Sequence, residues 1–275
     1  MGEALIVLRQ NRPAVFGLVL LGLVVCFILC GKILQPDPFE IVSAPFSPPG
    51  QNGFLLGTDY LGRSIFTGLL AGGASTLAVG LASAALSVFI GVTVGALAGY
   101  FGGIIDDVLM RVAEFFQVLP ALLFAMVLVT LFTPSLFTVS FAIGVVLWPQ
   151  TARLTRAEFL RIRELEYVLA ARAIGAKDAR IMLRVILPNA LPPLIVSATL
   201  TVGIAILFES GFSFLGLGDP NVMSWGVMIG ANRNFILDAW WPVTIPGVAI
   251  FLTVFAVSLI GDGLNDAFNP ELRGR

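Results

Sequence analysis

The chain contains no histidine, only two cysteines, and only 12% charged residues among its 275. Each shortage excludes something. Without histidine there are no imidazole metal ligands, no histidine proton relay and no conventional Ser-His-Asp triad. Cys26 and Cys30 lie one helical turn apart within an apolar run, too few for a four-thiolate zinc site, and read as helix surface. Leu29, not a small residue, precedes Cys30, so a lipoprotein reading fails. Soluble domains average about 25% charged and about 45–50% apolar residues. Here the apolar share is 57%, the composition of a polytopic membrane protein. The net charge of −1 matters less than where the charges fall.

A membrane-crossing helix needs about 20 mostly apolar residues. Six stretches qualify, near 13–34, 74–100, 113–133, 135–152, 189–216 and 243–262. The first is uncharged from Ala14 to Gly31. That exceeds the usual h-region of about 7–15 residues, and no small-x-small site follows, so it reads as a span and not a cleaved signal. Pro120 is expected to kink the third span, and Pro149 lies near the end of the fourth. Pro188, Pro192 and Pro193 suit the first turn of the fifth. The second carries Gly80, Ala84, Ser87, Gly91 and Gly95. Small residues at helical spacing let helices approach closely, which places this span inside the bundle.

Orientation follows from the basic residues, which concentrate on the cytoplasmic side of membrane proteins. Half of the 16 Lys and Arg fall between Thr151 and Pro188: Arg153, Arg156, Arg161, Arg163, Arg172, Lys177, Arg180 and Arg184. Six spans put this loop on one side with both termini, Arg9, Arg12, Arg111, Arg273 and Arg275. The other side receives Lys32, Arg63 and Arg233. Both termini and the basic loop are therefore expected in the cytoplasm, and segments 35–73 and 217–242 outside. The first outer segment, rich in Pro and Gly (Pro36, Pro38, Pro45, Pro48, Pro49, Gly50, Gly53), is expected to form an ordered cap with little helix. Trp225, Trp240 and Trp241 are expected at the outer interface.

No nucleotide site accompanies this architecture. Gly57-Thr58-Asp59-Tyr60-Leu61-Gly62-Arg63-Ser64 approaches GxxxxGK[ST], but Arg replaces Lys, no apolar strand leads into it, and it lies outside, away from ATP. Gly31-Lys32 merely ends the first span. If ATP drives this protein, another chain binds it. No nucleophile, base and orienting group assemble, so the chain is not an enzyme by itself.

The basic loop is patterned as well as charged. Residues 164–178 read as a helix that stops near Gly175, whose residue type permits a left-handed cap. A second helix is expected from about Asp178, as N-cap, to Leu187. Ala170, Ala171 and Gly175 offer a low-profile face for a partner. The alternative is a basic amphipathic segment lying on anionic lipid. Within the spans, Glu209 lies roughly 28 Å beyond Ala190 at 1.5 Å per residue. It is a candidate for the translocation path or a wetted interfacial carboxylate. Asp262 reads as a contact at the cytoplasmic end.

The loop resembles that of the inner-membrane permease subunits of bacterial ABC importers, with the pattern E-A-A-x3-G-x9-I-x-L-P. Leu169-Ala170-Ala171, Gly175, Val185, Leu187 and Pro188 keep every spacing, with Leu169 in place of Glu and Val185 in place of Ile. Glu164 and Glu166 stand near the missing carboxylate. The resemblance is closest to the dipeptide/oligopeptide group. Leu56 to Arg63 looks like that group's outer motif, with Ser64 for Asp. Ser213 to Gly218 followed by Ser224-Trp225-Gly226 looks like its fifth-span exit. Gly261 to Leu264 with Asp266-Ala267 looks like its last cytoplasmic stretch, with Asn265 for Arg.

The resemblance implies an all-α membrane protein with six transmembrane helices, cytoplasmic termini and a coupling helix between the fourth and fifth. The expected divisions are 1–73 (first span and outer loop), 74–264 (permease domain, coupling loop 153–188) and 265–275 (tail). Docking to an ATPase falls to Ala170, Ala171, Arg172, Gly175, Ala176, Leu187 and Pro188. Gly57, Thr58, Asp59, Gly62 and Arg63 form the outer motif, and no metal ligand is implied. The implied partners are a related second permease chain, two ATPase subunits, an extracytoplasmic solute-binding protein and membrane lipid, without nucleic acid. This chain carries no cofactor, since ATP and magnesium belong to the ATPases. The implied setting is the bacterial inner membrane. The implied cargo is a di- or oligopeptide, with nickel or another small solute as alternatives within the class. A stand-alone secondary carrier or structural membrane subunit is the reading outside it, disfavoured by spans nearly bare of ionisable residues.

Overall fold

The computed structural model describes residues 10–34, 37–51 and 53–268, with Lys32 described through its backbone alone. Arg9, Pro36, Arg273 and Arg275, used above for orientation and turns, lie outside the described residues. Ten α-helices follow in order. They are α1 (Arg12–Leu34), α2 (Ile65–Phe101), α3 (Gly103–Val118), α4 (Ala121–Thr130), α5 (Leu136–Arg163), α6 (Glu166–Ala173), α7 (Asp178–Ile181), α8 (Leu187–Phe214), α9 (Trp225–Asn232) and α10 (Trp241–Phe268). Among the described residues the only extended pairings are two isolated bridges, Ile41 with Arg63 and Thr58 with Ser64.

In lipid the backbone must satisfy its own hydrogen bonds, and helices do so within one segment. α1, α2, the continuous stretch Asp178–Phe214 and α10 are each long and apolar enough to cross a membrane. The pair α3 and α4 would make a fifth crossing, but it bends by 88° between the two helices. This corrects the third predicted span: 113–133 is not one kinked helix. Residues 103–118 form an amphipathic helix carrying Asp106, Asp107, Arg111 and Glu114, and only the ten residues of α4 are wholly apolar. Pro120 explains the site of the break. Pro disfavours a helical residue before it, and Leu119 is extended, with ψ 135°. α5 is 28 residues long, but its apolar half ends at Pro149 and four arginines follow, so its length exceeds its apolar reach.

The bundle is organised around α2. Its small-residue stripe faces inward, with Gly80, Ala84, Ser87, Gly91 and Gly95 all buried as the spacing predicts. A Cβ at Gly91 would stand 2.6 Å from Thr151 Cβ, one at Gly95 2.3 Å from the Ala152 carbonyl oxygen, and one at Gly99 2.7 Å from the Arg156 carbonyl oxygen. Successive turns of α2 therefore meet successive turns of α5, and the two helices run parallel with their backbones nearly touching. Three turns earlier on the same stripe, Gly80 abuts Ile206 of α8. α1 packs antiparallel on α10, where Gly17 meets the Ala256 carbonyl and Asn11 donates to Asp266 at 2.9 Å.

The outer segment is a cap with little helix, as expected, and its conspicuous motif is a turn-builder. One Asp59 carboxylate oxygen accepts the Leu61 and Arg63 amides at 2.9 and 2.8 Å. Thr58 Oγ1 accepts the Ser47 amide and donates to the Ala44 carbonyl. Gly62 has φ +82°, and a Cβ there would lie 2.0 Å from the Ser43 carbonyl oxygen. Trp241 closes the cap by donating from Nε1 to the Thr58 carbonyl at 3.1 Å. Two of the predicted interfacial tryptophans are therefore core residues: Trp225, 1% exposed, donates to the Leu69 carbonyl, and Trp241 is also buried. Trp240 alone is exposed.

Packing this close leaves no room for growth. Gly95→Ala is expected to cost about 1–3 kcal/mol through overpacking. Gly22→Ala, where a Cβ would meet nothing within 4 Å, should be neutral or slightly stabilising. Thermal unfolding of the detergent-purified variants checks both.

Candidate functional site

The basic loop folds as the continuation of α5 followed by a bent helical pair. α5 runs on to Arg163, turns through Glu164 and Leu165, and gives way to the eight residues of α6. Gly175, at φ +80°, ends α6. Its amide donates to the Arg172 carbonyl at 3.0 Å, and the Ala176 amide reaches the Ala171 carbonyl at 3.1 Å. This pair of bonds is the Schellman arrangement, for which glycine is the favoured residue. The helix stop at Gly175 is thus where the sequence places it.

The second helix differs from expectation in two ways. Asp178 is its first residue and not its cap; Lys177 holds that position without a capping side chain. Nor does the helix end at Leu187. It passes through a wide turn, Met182–Ile186, in which the Leu187 amide bonds back to Met182, and continues as α8. Pro188 gives the physical reason. Its ring would crowd the carbonyl of Arg184 in a regular helix, and a widened turn just before it relieves that contact. Pro192 and Pro193 consequently sit inside a continuous helix, not in its first turn.

Three buried side chains hold the loop to the bundle. Val168 of α6, Ile181 of α7 and Ile186 of the wide turn cluster with Tyr100 of α2 and with Phe159 and Ile162 of α5. Everything else on α6 points away. Leu169, Ala170, Arg172, Ala173, Ile174 and Gly175 are exposed, Ile174 to 86%, while Ala171 and Ala176 are half-buried. Leu187 is half-buried and Pro188 exposed at the start of α8. The result is a short helix with small residues on its outer face and one large apolar side chain at its tip. Arg172 is the exception, since its guanidinium lies 5.7 Å over the Tyr100 ring. Of the two carboxylates near Leu169, Glu164 pairs with Arg163 at 3.0 Å, and Glu166 opens α6.

Glu209 is buried within this chain and is not a wetted carboxylate. It is 2% exposed. One carboxylate oxygen accepts Ser213 Oγ at 2.8 Å and Ser224 Oγ at 2.7 Å. Ser224 in turn caps α9 by accepting the Val227 amide at 3.2 Å. The next residue's amide, from Trp225, bonds to Thr76 Oγ1 of α2. Glu209 therefore welds α8, α9 and α2 at the outer end of the bundle. Sequence reasoning could see the acid but not these partners, because Ser224 is 15 residues away along the chain and Thr76 further still. Asp262 is exposed near the end of α10.

An amphipathic α3 adds charges against α5. Asp106 makes a bidentate pair with Arg156 at 2.5 and 2.6 Å, and Arg153 donates to Gln117 at 2.9 Å. Such planar two-point contacts are the stronger kind of ion pair. They brace the charged half of α5 that carries α6.

Among the described residues the chain is a helical membrane bundle from which a Gly-terminated helix projects between two long helices. Residues 91–274 match the family described as binding-protein-dependent transport system inner membrane component, and the chain belongs to it. The di/tripeptide transport system permease protein DppC of Pseudomonas aeruginosa is 39% identical over 272 residues, covering 96% of this chain and 90% of that one. The dipeptide transport system permease protein DppC of Bacillus subtilis is 40% identical, covering 97% and 84%. The oligopeptide transport system permease protein OppC of the same species is 33% identical, covering 98% and 90%. In fold the chain is similar to a solved structure of the MetNI methionine ABC transporter in inward-facing form. The TM-score is 0.61 at 21% identity, over 74% of this chain and 97% of that one. The chain is thus a permease subunit of an ABC importer, a transport subunit whose family works in complex with ATPases and other partners.

Removing the Glu209 carboxylate strands two buried hydroxyl donors, at about 1–3 kcal/mol for each group left unsatisfied. Glu209→Ala is therefore expected to lower the unfolding temperature clearly, and Glu209→Gln, which keeps one acceptor oxygen, to lower it less. Equal loss in the two variants would show that the hydrogen bonds carry no stability.

Proposed function

We infer that this chain carries di- or oligopeptides across the bacterial inner membrane, receiving them from an extracytoplasmic binding protein. The observation that supports this cargo most strongly is its likeness, at 33–40% identity over nearly its whole length, to permeases named for di-, tri- and oligopeptides. Nickel or another small solute is the alternative cargo in the same class. The working complex pairs the chain with a related permease and two ATPase subunits, which bind the ATP and magnesium; membrane lipid surrounds it, and nucleic acid has no part.

Six crossings with both termini in the cytoplasm are the reading that the charges favour. α3 with α4 supplies the third and the apolar half of α5 the fourth. On this reading α6 is the coupling helix. Ala170, Ala171, Gly175 and Ala176 let the ATPase close against it, Ile174 enters the groove, and Leu187 and Pro188 carry its motion into α8. Arg172 braces α6 from behind. ATP binding draws the ATPases together and moves α6 with them, which favours one of two bundle arrangements over the other. That is alternating access by differential stabilisation of two states. The outer motif of Gly57, Thr58, Asp59, Gly62 and Arg63 builds the cap that the loaded binding protein meets. Glu209 holds the outer ends of α8, α9 and α2 in one piece during the change and does not line the path.

Two measurements test this. Gly175→Glu puts a charged side chain at a left-handed backbone position facing the ATPase. It should leave the chain inserted in the membrane while reducing labelled-peptide uptake roughly tenfold or more, the span of ordinary coupling free energies. Uptake at the wild-type level would overturn the docking role. For topology, a cysteine at the exposed Leu237 should react with a membrane-impermeant thiol reagent in intact cells, and one at Ile174 only after lysis.

A further inference from the structure

The last turn of α2 is where three cytoplasmic segments converge. Tyr100 is 5% exposed, yet its hydroxyl reaches out of the core and donates to Asp178, the first residue of α7, at 2.5 Å. Arg172, in the last turn of α6, lies over the same ring at 5.7 Å. Arg163, the last residue of α5, donates from one guanidinium nitrogen to the Gly99 and Tyr100 carbonyls at 3.1 Å each. Those carbonyls belong to the end of α2, which stops at Gly102 with φ +68° and would otherwise leave them unpaired. One tyrosine thus gathers the ends of α5, α6 and α2 and the start of α7.

The contacts differ in kind. Arg163 and the Gly99 contact with α5 fix α2 to the shaft of α5, which does not depend on the loop's position. The ring of Tyr100 packs in the cluster of Val168, Ile181 and Ile186, a contact that tolerates sliding. The Tyr100–Asp178 bond is directional, short and made to an exposed carboxylate on the far side of the Gly175 bend. α8 is continuous with Asp178 through the wide turn, so it moves with the loop whatever happens to Tyr100. α2 has no such covalent continuity. Asp178 and Arg172 both engage this one α2 side chain, and Asp178 makes the short bond to its hydroxyl from the far side of the bend.

We propose that the Tyr100 hydroxyl and the Asp178 carboxylate form the joint that passes displacement of the α6–α7 loop to α2, so that α2 and α8 move together when the ATPases close. Tyr100 and Asp178 are positioning residues: they touch neither nucleotide nor cargo. The inference rests on α6 being the coupling helix.

The test uses the complete importer, with both permease chains, the ATPases and the binding protein, in proteoliposomes. Tyr100→Phe keeps the ring, and with it the packing and the Arg172 guanidinium over its face, but removes the hydroxyl that Asp178 and Arg172 both engage, so the Asp178 variants isolate the Asp178 bond. Asp178→Asn keeps an acceptor oxygen; Asp178→Ala does not. Tyr100→Phe and Asp178→Ala should co-purify with the ATPase and hydrolyse ATP, while peptide imported per ATP falls roughly tenfold. Asp178→Asn should recover most of that ratio. A merely structural role would lower the amount of assembled complex and leave the ratio unchanged, and that result overturns the proposal.

A second readout needs no cargo. Spin labels at Phe89 on α2 and Leu191 on α8 face one apolar groove. Their separation should stay the same between nucleotide-free and vanadate-trapped complexes in the wild type, and change in Tyr100→Phe. An unchanged separation in both backgrounds also overturns the joint. A wild-type complex that hydrolyses ATP but imports no peptide speaks against the peptide cargo alone. An ATPase that does not co-purify with the wild type speaks against the coupling-helix reading.

Discussion

Contact between the backbones of α2 and α5 is the constraint on which the rest of the molecule depends. Hydrocarbon gives helices no hydrophobic reason to associate, so dispersion between closely fitting surfaces must hold them. Gly91, Gly95 and Gly99 supply that fit by removing the Cβ at three consecutive turns, each facing a turn of α5. The parallel pair then extends as one body beyond the apolar part of the bundle to α6. Arg163 caps the end of α2 from α5, and the Asp106–Arg156 pair braces the shaft from α3. The bent α6–α7 loop is built on the end of this body, so its position is set by the bundle even though most of its own surface is exposed.

The outer end is joined differently. There the chain uses polar contacts buried away from lipid: Glu209 with Ser213 and Ser224, Trp225 with Thr76 and Leu69, Trp241 with Thr58. Each links segments far apart in sequence, and together they make cap, α9 and the ends of α2, α8 and α10 a single unit. The cytoplasmic end, by contrast, offers an exposed helix after a glycine bend. A rigid outer unit and a jointed inner one suit a protein that is pushed from the inside and must answer on the outside.

Much of this was legible in the sequence because it rests on local chemistry. The stripe of small residues on α2 marks a buried face without reference to any neighbour. Gly175 marks a helix end because only glycine adopts that backbone cheaply. The basic residues between Thr151 and Pro188 announce a loop. What escaped depended on contacts between distant segments or on the cost of a proline in context. Pro120 reads as a kink, yet an 88° break separates α4 from the amphipathic helix 103–118, whose Asp106 and Gln117 are engaged by Arg156 and Arg153 of α5. Pro192 and Pro193 read as a helix start, but the wide turn before them lets the helix run through. Trp225 reads as interfacial from its position and Glu209 as a path residue or a wetted carboxylate, and only the folded chain shows their partners. The outer motif was recognised as a pattern, while its work, shaping a turn through Asp59 and Gly62, is visible only in the hydrogen bonds.

The central claim is that the exposed tip of α6 is the surface through which ATP energy enters this chain. Placing a photo-activatable cross-linker at Ile174 in the assembled importer tests that contact itself. Irradiation should join this chain to the ATPase subunit, whereas a cross-linker at Leu237, exposed at the other end of the bundle, should not. Capture of lipid alone at Ile174, with no ATPase adduct in a complex that is otherwise active, would contradict it.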